Sequence, residues 1–434
     1  MRKMKDSQIE WVGNIPETWT TELGKHFMSR LDRPVKDDDS VITCFRDGQV
    51  TLRSNRREDG FTLAFQEIGY QGIEPGDLVV HGMDGFAGAI GISDSRGKAT
   101  PVLNVLDTKQ NKKYMMYALR NMAYTDVFLA LSTGIRIRSC DTSWKKLRAL
   151  NYALPPLDEQ NKIADYLEVK EKQIEDLISK VEAQIVKLKQ YKQSVITEVI
   201  VNGLDPNSPM KDSGLDWLGQ IPKDTDVIGI TYILDKNHPY PLGDGDHGLI
   251  GPDDYISEGI PYIRVQNLGW GTDLLTDNIV YISEERNNAI KNSTLRPNDI
   301  LFAKTGATIG KTGIVPSNMP IANTTSHIGK ITVSPEYDPK YIFYVLTSFI
   351  GYRQFWAIAC QKTTRPELAI SEMKTIKVLV PKSRETQREI VEYLDGKCKG
   401  IDQLITIKEA KVDRLRQLKK TLIYEYVTGK KEVV

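Results

Sequence analysis

Along residues 157–200 the apolar positions fall four and three apart, at Ile174, Ile178, Val181, Ile185 and Leu188, and Val195 and Val199 resume the stripe after a break. Lys, Glu and Gln fill the other faces. Such spacing lays one narrow apolar seam along a helix, the a/d pattern of a coiled coil. The pattern returns near the C-terminus, where Ile401, Ile405, Val412, Leu415, Leu422 and Tyr426 keep the same phase between Arg384 and Val427. Lys192 and Lys419 interrupt the seam at corresponding places, and Lys408 stands where the first copy has Val181. Each helix is predicted to be roughly 65 Å long at about 1.5 Å per residue. One helix cannot bury so narrow a stripe alone, so the copies are expected to pair. Two amphipathic helices on two separate cores are the alternative.

The repetition is wider than the helices. Met4-Lys5-Asp6-Ser7 with Trp11, Gly13, Ile15 and Pro16 returns as Met210-Lys211-Asp212-Ser213 with Trp217, Gly219, Ile221 and Pro222. Pro75-Gly76-Asp77-Leu78 is matched by Pro297-Asn298-Asp299-Ile300. Pro156, Gln160, Ile163 and Tyr166-Leu167 are matched by Pro381, Gln387, Ile390 and Tyr393-Leu394. The chain therefore reads as two half-chains of one design, and a period this long marks a duplication rather than a solenoid. The resulting boundaries are 1–155 for a first globular domain and 156–203 for the first helix. A linker and second globular domain occupy 204–380, and the second helix 381–434.

Within the globular segments, short β-like runs are broken by Gly, Pro and Asp. Strands are predicted at 77–81, 89–92, 135–138, 262–265, 300–303 and 375–380, and helices at 113–131 and 341–360. Asp158 is the expected N-cap of the first long helix, while Asn202-Gly203 and Thr428-Gly429 supply the stops. The two segments share this order but little sequence, as expected if each reads a different ligand.

At 434 residues the chain has room for two or more cores. Cys44, Cys140, Cys360 and Cys398 show no spacing for zinc or a disulfide framework. The N-terminus lacks a signal-peptide core, and the most apolar window, 341–352, is too short to span a bilayer. A soluble protein of the reducing cytoplasm, without a membrane partner, is the expectation. A net charge of +1 does not argue against a nucleic-acid face, which a neutral total can hide.

Gly306-Ala307-Thr308-Ile309-Gly310-Lys311-Thr312 invites a phosphate-loop reading but has three residues between its glycines where that loop needs four. The sequence after it reads as strand, so a strand–turn–strand is predicted, with Lys304, Thr305 and Lys311 as candidates for DNA phosphates. Asp244-Gly245-Asp246-His247 and Asp253-Asp254 fit neither an EF-hand nor a zinc site and read as a solvated loop. No nucleophile elbow, Asp/Asn-Pro-Pro-Tyr motif or methyl-donor loop occurs, which argues against a fused restriction-methyltransferase. Basic residues cluster instead with polar ones. The candidates for DNA contact are Arg53, Arg56, Arg57, Arg136 and Arg138 in the first segment, and Arg264, Gln266, Asn267, Lys362 and Arg365 in the second. Arg, Gln and Asn make paired hydrogen bonds to guanine and adenine edges; Lys and Thr suit phosphates. For any single residue, solvated surface charge is the competing explanation.

Several stretches together resemble the specificity subunits of type I restriction-modification systems. They are Trp11-Val12-Gly13-Asn14-Ile15-Pro16, Trp217-Leu218-Gly219-Gln220-Ile221-Pro222, the junction 154–160 with 163–167, and 299–310. The resemblance spans essentially the whole chain, and order and duplication carry it more than any one motif. The implied fold is α+β: two α/β target recognition domains separated by an antiparallel coiled coil of two long helices, a pseudo-twofold internal repeat. The implied function is a non-catalytic subunit that reads a bipartite DNA target. It would direct methylation and restriction by two modification (methyltransferase) subunits and by restriction (translocase-nuclease) subunits. S-adenosylmethionine, ATP and Mg would then belong to those partners, with no cofactor in this chain. A paired-helix scaffold whose heads bind protein is the alternative. The junction before the second helix, 380–387, departs from the family pattern by two extra residues and lacks the double proline.

Overall fold

The structure, a computed structural model, describes residues 2–56, 67–130, 142–246, 248–271, 274–361 and 366–433. It forms two compact units, Met1–Glu182 with Ala410–Val434, and Ala183–Glu409. Each holds one globular domain and the adjoining stretches of both long helices, so the units divide within the helices rather than at their ends.

The long helices run Leu157–Asn202 and Arg384–Val427. Asp158 does not cap the first; it lies inside its first turn. The Pro156 carbonyl already accepts the N–H groups of Glu159 and Gln160, so helical bonding begins before Asp158. Its charge, with that of Glu159, still favours the positive end of the helix dipole. Every predicted seam residue is buried or half-buried in both helices. In the first unit Lys419 meets Glu171 and Glu175, each at 3.1 Å, and Arg416 meets Glu182 at 2.9 Å. In the second, Lys192 meets Asp402 at 2.7 Å and Lys408 meets Gln184 at 2.7 Å. High numbers on one helix face low numbers on the other, so the pairing is antiparallel. The lysine that interrupts each seam is matched by a carboxylate at equivalent positions, Glu175 and Asp402.

Toward the domains the seams merge into globular cores. Ile163, Ala164, Leu167, Ile423 and Val427 pack with Trp19, Tyr114 and Leu147 in the first unit. Val195, Ile196, Val199, Ile390 and Leu394 pack with Phe302, Tyr341 and Phe355 in the second.

Both domains are built on a four-stranded antiparallel sheet of identical order. In the first it runs Met28–Arg30, Leu103–Thr108, Leu78–His81, Ile90–Ile92; in the second, Leu242–Asp244, Ile328–Ile331, Ile300–Ala303, Thr312–Ile314. In chain order each is first, fourth, second, third, a likeness that the sequences barely show. A strand pair closes each domain, Thr20–Leu23 with Asn151–Leu154 and Thr225–Gly229 with Lys377–Pro381.

The repeated motifs are the joints of this frame. Pro75-Gly76 and Pro297-Asn298 turn into the second strand with Gly76 and Asn298 left-handed at φ +87° and +69°, the third position of a type II turn. The following aspartates are buried and accept a backbone N–H three residues back, Glu74 to Asp77 at 2.8 Å and Arg296 to Asp299 at 2.9 Å. The glutamine one turn into each long helix is a second joint. Gln160 donates to the Pro155 carbonyl (2.9 Å) and accepts from the Asn111 N–H (3.0 Å). Gln387 donates to the Pro381 carbonyl (3.0 Å) and accepts from the Asp338 N–H (2.9 Å). Asn111 and Asp338 are the N-caps of the domain helices. Tyr114 and Tyr341, three residues on, each donate a hydroxyl to the closing strand, at Ala153 and Leu379. The altered second junction therefore keeps the same clasp.

Two predicted helices are interrupted. The first runs Lys112–Tyr124 and breaks at Asp126 (φ +57°) before Val127–Ala130. The second divides at Ser348, whose hydroxyl accepts from the Ile350 N–H and restarts the helix as Phe349–Ala359 after Pro339–Thr347. The strand predicted at 135–138 lies outside the described residues. The glycine-rich stretch folds as strand, short turn (Gly306–Thr308) and strand.

Candidate nucleic-acid interface

In the second domain four separated segments converge at one edge of the strands. The Thr324 hydroxyl and the Thr325 N–H donate to the Ile263 carbonyl, which ties 324–327 to the segment starting at Arg264. The Lys304 N–H donates to the His327 carbonyl, and Thr305 Oγ1 lies 3.2 Å from His327 Nδ1. Asp246 is buried, contrary to the solvated-loop expectation. It accepts the N–H groups of Gly248, Ile250 and Ser326 and so organises the loop. A Cβ on Gly245 would lie 2.0 Å from the Thr325 carbonyl carbon, so only glycine permits that approach. Among the described residues no group of three or more His, Cys, Asp or Glu is placed to hold a metal.

The candidates at this edge divide by what they already hold. Gln266 is exposed. Arg264 is half-buried beside it, donates to the Asn278 carbonyl at 3.0 Å and lies 5.4 Å from the centre of the Tyr255 ring. Asn267 is fully buried. Its oxygen accepts the Arg264 N–H and its nitrogen donates to the carbonyls of Leu275 and Asp277, so it shapes the turn and offers no edge to a base. Lys304 is also buried, against Asp244 at 2.6 Å and Glu367 at 3.6 Å; its charge is spent inside the protein. The sequence gives no sign of either, because the partners of Lys304 are far along the chain. Thr305 and Lys311 are half-buried on the glycine-rich turn. Lys362 and Arg365 lie outside the described residues.

In the first domain a hairpin, Ile42–Cys44 with Val50–Leu52, carries the candidates. Arg53 follows it in a short turn, with Nε 3.4 Å from Thr43 Oγ1. Arg56 is anchored by Asp47 at 2.7 Å and stacks 4.2 Å above the Phe45 ring. Arg46, at the hairpin tip, reaches Asp84 at 2.8 Å, on the loop equivalent to the second domain's glycine-rich turn. His81 Nδ1 accepts the N–H groups of Met83 and Asp84 at the start of that loop, and burial holds its pKa below the usual value. Arg57, Arg136 and Arg138 lie outside the described residues. Sequence reasoning missed Arg30, Lys145 and Arg148, which are exposed around a concavity of about 480 Å³ with Trp144 and Met83. Trp144-Lys145-Lys146 was a visible basic–aromatic signal, but Arg30 joins it only through the fold.

Comparison with known proteins points to one family. The model of the type I restriction modification DNA specificity domain matches residues 253–416. The EcoBI type I restriction enzyme specificity subunit of Escherichia coli is 28% identical over 359 residues, 80% of this chain and 72% of that protein. The chain is similar to type I specificity subunits over most of its length. The MjaVIII specificity subunit of Methanocaldococcus jannaschii is 25% identical over 329 residues, covering 74% of this chain and 72% of its own length. A chain from a structural study of complex assembly and conformational transition in the type I R-M system has the same fold. It superposes with a TM-score of 0.63 at 13% identity and covers 95% of this chain and 98% of that one. The segment matched by the family model includes the second domain's convergent loops from Arg264 onward and most of the second long helix.

Proposed function

We propose that this chain is a specificity subunit that reads a bipartite DNA target, one half with each domain, and directs methylation and restriction by partner subunits. One observation carries the reading: the two domains share sheet order, turn and glutamine clasp, yet their strand-edge loops are unlike. A frame held constant under divergent loops is what two different half-sites require. In the second domain Arg264, Gln266, Thr305, Lys311, Lys362 and Arg365 are the proposed DNA contacts. In the first they are Arg53, Arg56, Arg57, Arg136 and Arg138, joined by Arg30, Lys145 and Arg148 at the phosphates.

Two modification subunits and the restriction subunits would dock along the helix pair. Leu177, Leu404 and Ile407 stay exposed there, which supports docking. Ile196 and Ile423, which flank the seam in the sequence, do not contribute, because both are buried in the domain cores. S-adenosylmethionine, ATP and Mg would be held by those partners. No helix among the described residues is long and apolar enough to cross a membrane, and the cytoplasm, where the DNA lies, is the proposed location. The test is to map methylated adenines after co-expression with the cognate modification subunit. Two short motifs at one fixed spacing are expected. Unmodified DNA, together with duplex binding that ignores salt, would defeat the proposal, because phosphate contacts release counterions.

A further inference from the structure

We infer that Arg120, a buried residue of the first domain's helix, is a positioning residue for target recognition that locks the candidate DNA hairpin to the first long helix. Its guanidinium is bonded on three sides. Nε donates to the Ile90 carbonyl at 2.8 Å, on the edge strand of the sheet. Nη2 donates to the Gly48 carbonyl at 3.0 Å, in the turn of the hairpin that bears Arg46, Asp47, Arg53 and Arg56. Nη1 donates to both carboxylate oxygens of Glu171 on the long helix, at 3.1 and 3.3 Å. Glu171 in turn holds the Tyr117 hydroxyl at 3.0 Å and Lys419 of the second long helix at 3.1 Å. The reading hairpin and the helix pair thus share one guanidinium.

The hairpin turn is shaped to admit it. Gly48 has φ +89°, and a Cβ there would lie 2.0 Å from Arg120 Nη2. A Cβ on Gly91 would lie 2.0 Å from the Gly48 carbonyl oxygen. Two glycines therefore open the slot in which a single arginine fixes the turn. Among the described residues the second domain shows no such lock. At the positions equivalent to Arg120 and Glu171 stand Thr347 and Cys398, and Thr347 bonds only its own helix, at the Phe343 and Tyr344 carbonyls, and Gln193 through its backbone. The inference rests on the reading that this hairpin faces DNA, and it confines the effect to the half-site read by the first domain.

The test uses the full chain assembled with its cognate modification subunits and measures methylation rates on targets altered base by base in each half. Arg120→Lys and Gly48→Ala should each lower discrimination in the first domain's half-site by about tenfold, the scale of one lost base contact, and leave the other half-site unchanged. Their double variant should be no worse than the worse single, because both displace the same guanidinium. Gly48→Ala and Glu171→Gln keep the Arg120 side chain in place of a buried deletion, so at least one folded variant is expected; melting temperature checks this. Equal losses in both half-sites, or additive losses in the double variant, would overturn the positioning role. Arg53→Ala with Arg56→Ala tests the underlying reading separately. If that pair leaves the half-site intact, the hairpin does not read DNA. If it relaxes the half-site while the Arg120, Gly48 and Glu171 variants do not, the hairpin reads without the lock.

Discussion

The glutamine clasps make a prediction whose size follows from the structure. Gln387 is buried and bonds two backbone groups, the Asp338 N–H at 2.9 Å and the Pro381 carbonyl at 3.0 Å. Gln387→Ala removes both bonds and leaves a donor and an acceptor facing a small cavity. An unsatisfied buried polar group costs about 1–3 kcal/mol, so the pair predicts about 2–6 kcal/mol, with the lower end reached if water enters. At about 2–4 °C per kcal/mol for a unit of this size, the second unit's melting transition should drop by roughly 5–20 °C.

The same substitution at Gln160 strikes the first unit. Gln160 also meets Gln110 at 2.6 Å, but that neighbour is only half-buried and can turn to water. Calorimetry on the full chain should therefore show one transition shifted by each variant, and a different one in each case. Methylation assays should show the matching loss, in the second half-site for Gln387→Ala and the first for Gln160→Ala. A shift below about 1 kcal/mol would mean that the clasp is decorative, because two stranded backbone groups cannot cost so little. A drop in both transitions from either variant would mean that the clasps do not act domain by domain.

Three further outcomes follow. Arg264→Ala or Gln266→Ala should relax one half-site by about 1–3 kcal/mol of discrimination and spare the other, read as methylation rates on base-substituted targets. Asp402→Ala should destabilise by about 1–3 kcal/mol in urea unfolding, less than a fully buried pair because Asp402 is half-exposed. Lys192→Met, which extends the seam, should stay within about 1 kcal/mol of the parent. Burial, with Lys330 and Arg296 nearby, pushes the His238 pKa down to about 4, and its Nδ1 accepts the Tyr240 N–H. The folded state thus holds the neutral ring, so its stability contribution is full above about 6.5 and is lost as pH falls toward about 4. Melting curves across that window should show a steeper fall in the parent than in His238→Gln.

Much of the frame was legible because it is periodic or repeated. The seam residues, the paired lysines and the Pro-Gly-Asp and Pro-Asn-Asp turns obey local rules of spacing and backbone preference, and each proved to be a joint or a contact. The helix breaks at Asp126 and Ser348 were not legible, since nothing in either run except a small polar residue marks them. The interface was legible only as composition. Lys304 and Gln266 look alike in sequence as polar residues near glycine or asparagine. One is held by Asp244 and Glu367 from distant segments, while the other faces solvent. Which polar group is spent internally is decided by tertiary contacts between segments far apart in the chain, and no local pattern encodes that.

The chemistry of the joints explains why such a frame can keep its shape while its reading loops change. Gln160 and Gln387, Asp77 and Asp299, and Tyr114 and Tyr341 all make their matched bonds to backbone groups. A backbone carbonyl is present whatever side chain a position carries, and a backbone N–H in every residue but proline, so these bonds survive most substitutions of the residue that supplies them. The strand-edge loops, in contrast, hang from carbonyls such as those of Ile263 and His327, which accept donors without constraining the side chains displayed beside them. A new half-site then requires change only at displayed positions such as Gln266. The Arg120 lock is the exception in the first domain, because its bond to the Gly48 carbonyl requires glycine at that position of the reading hairpin itself. Loops exchanged into that domain should work only when they bring a glycine to the position of Gly48.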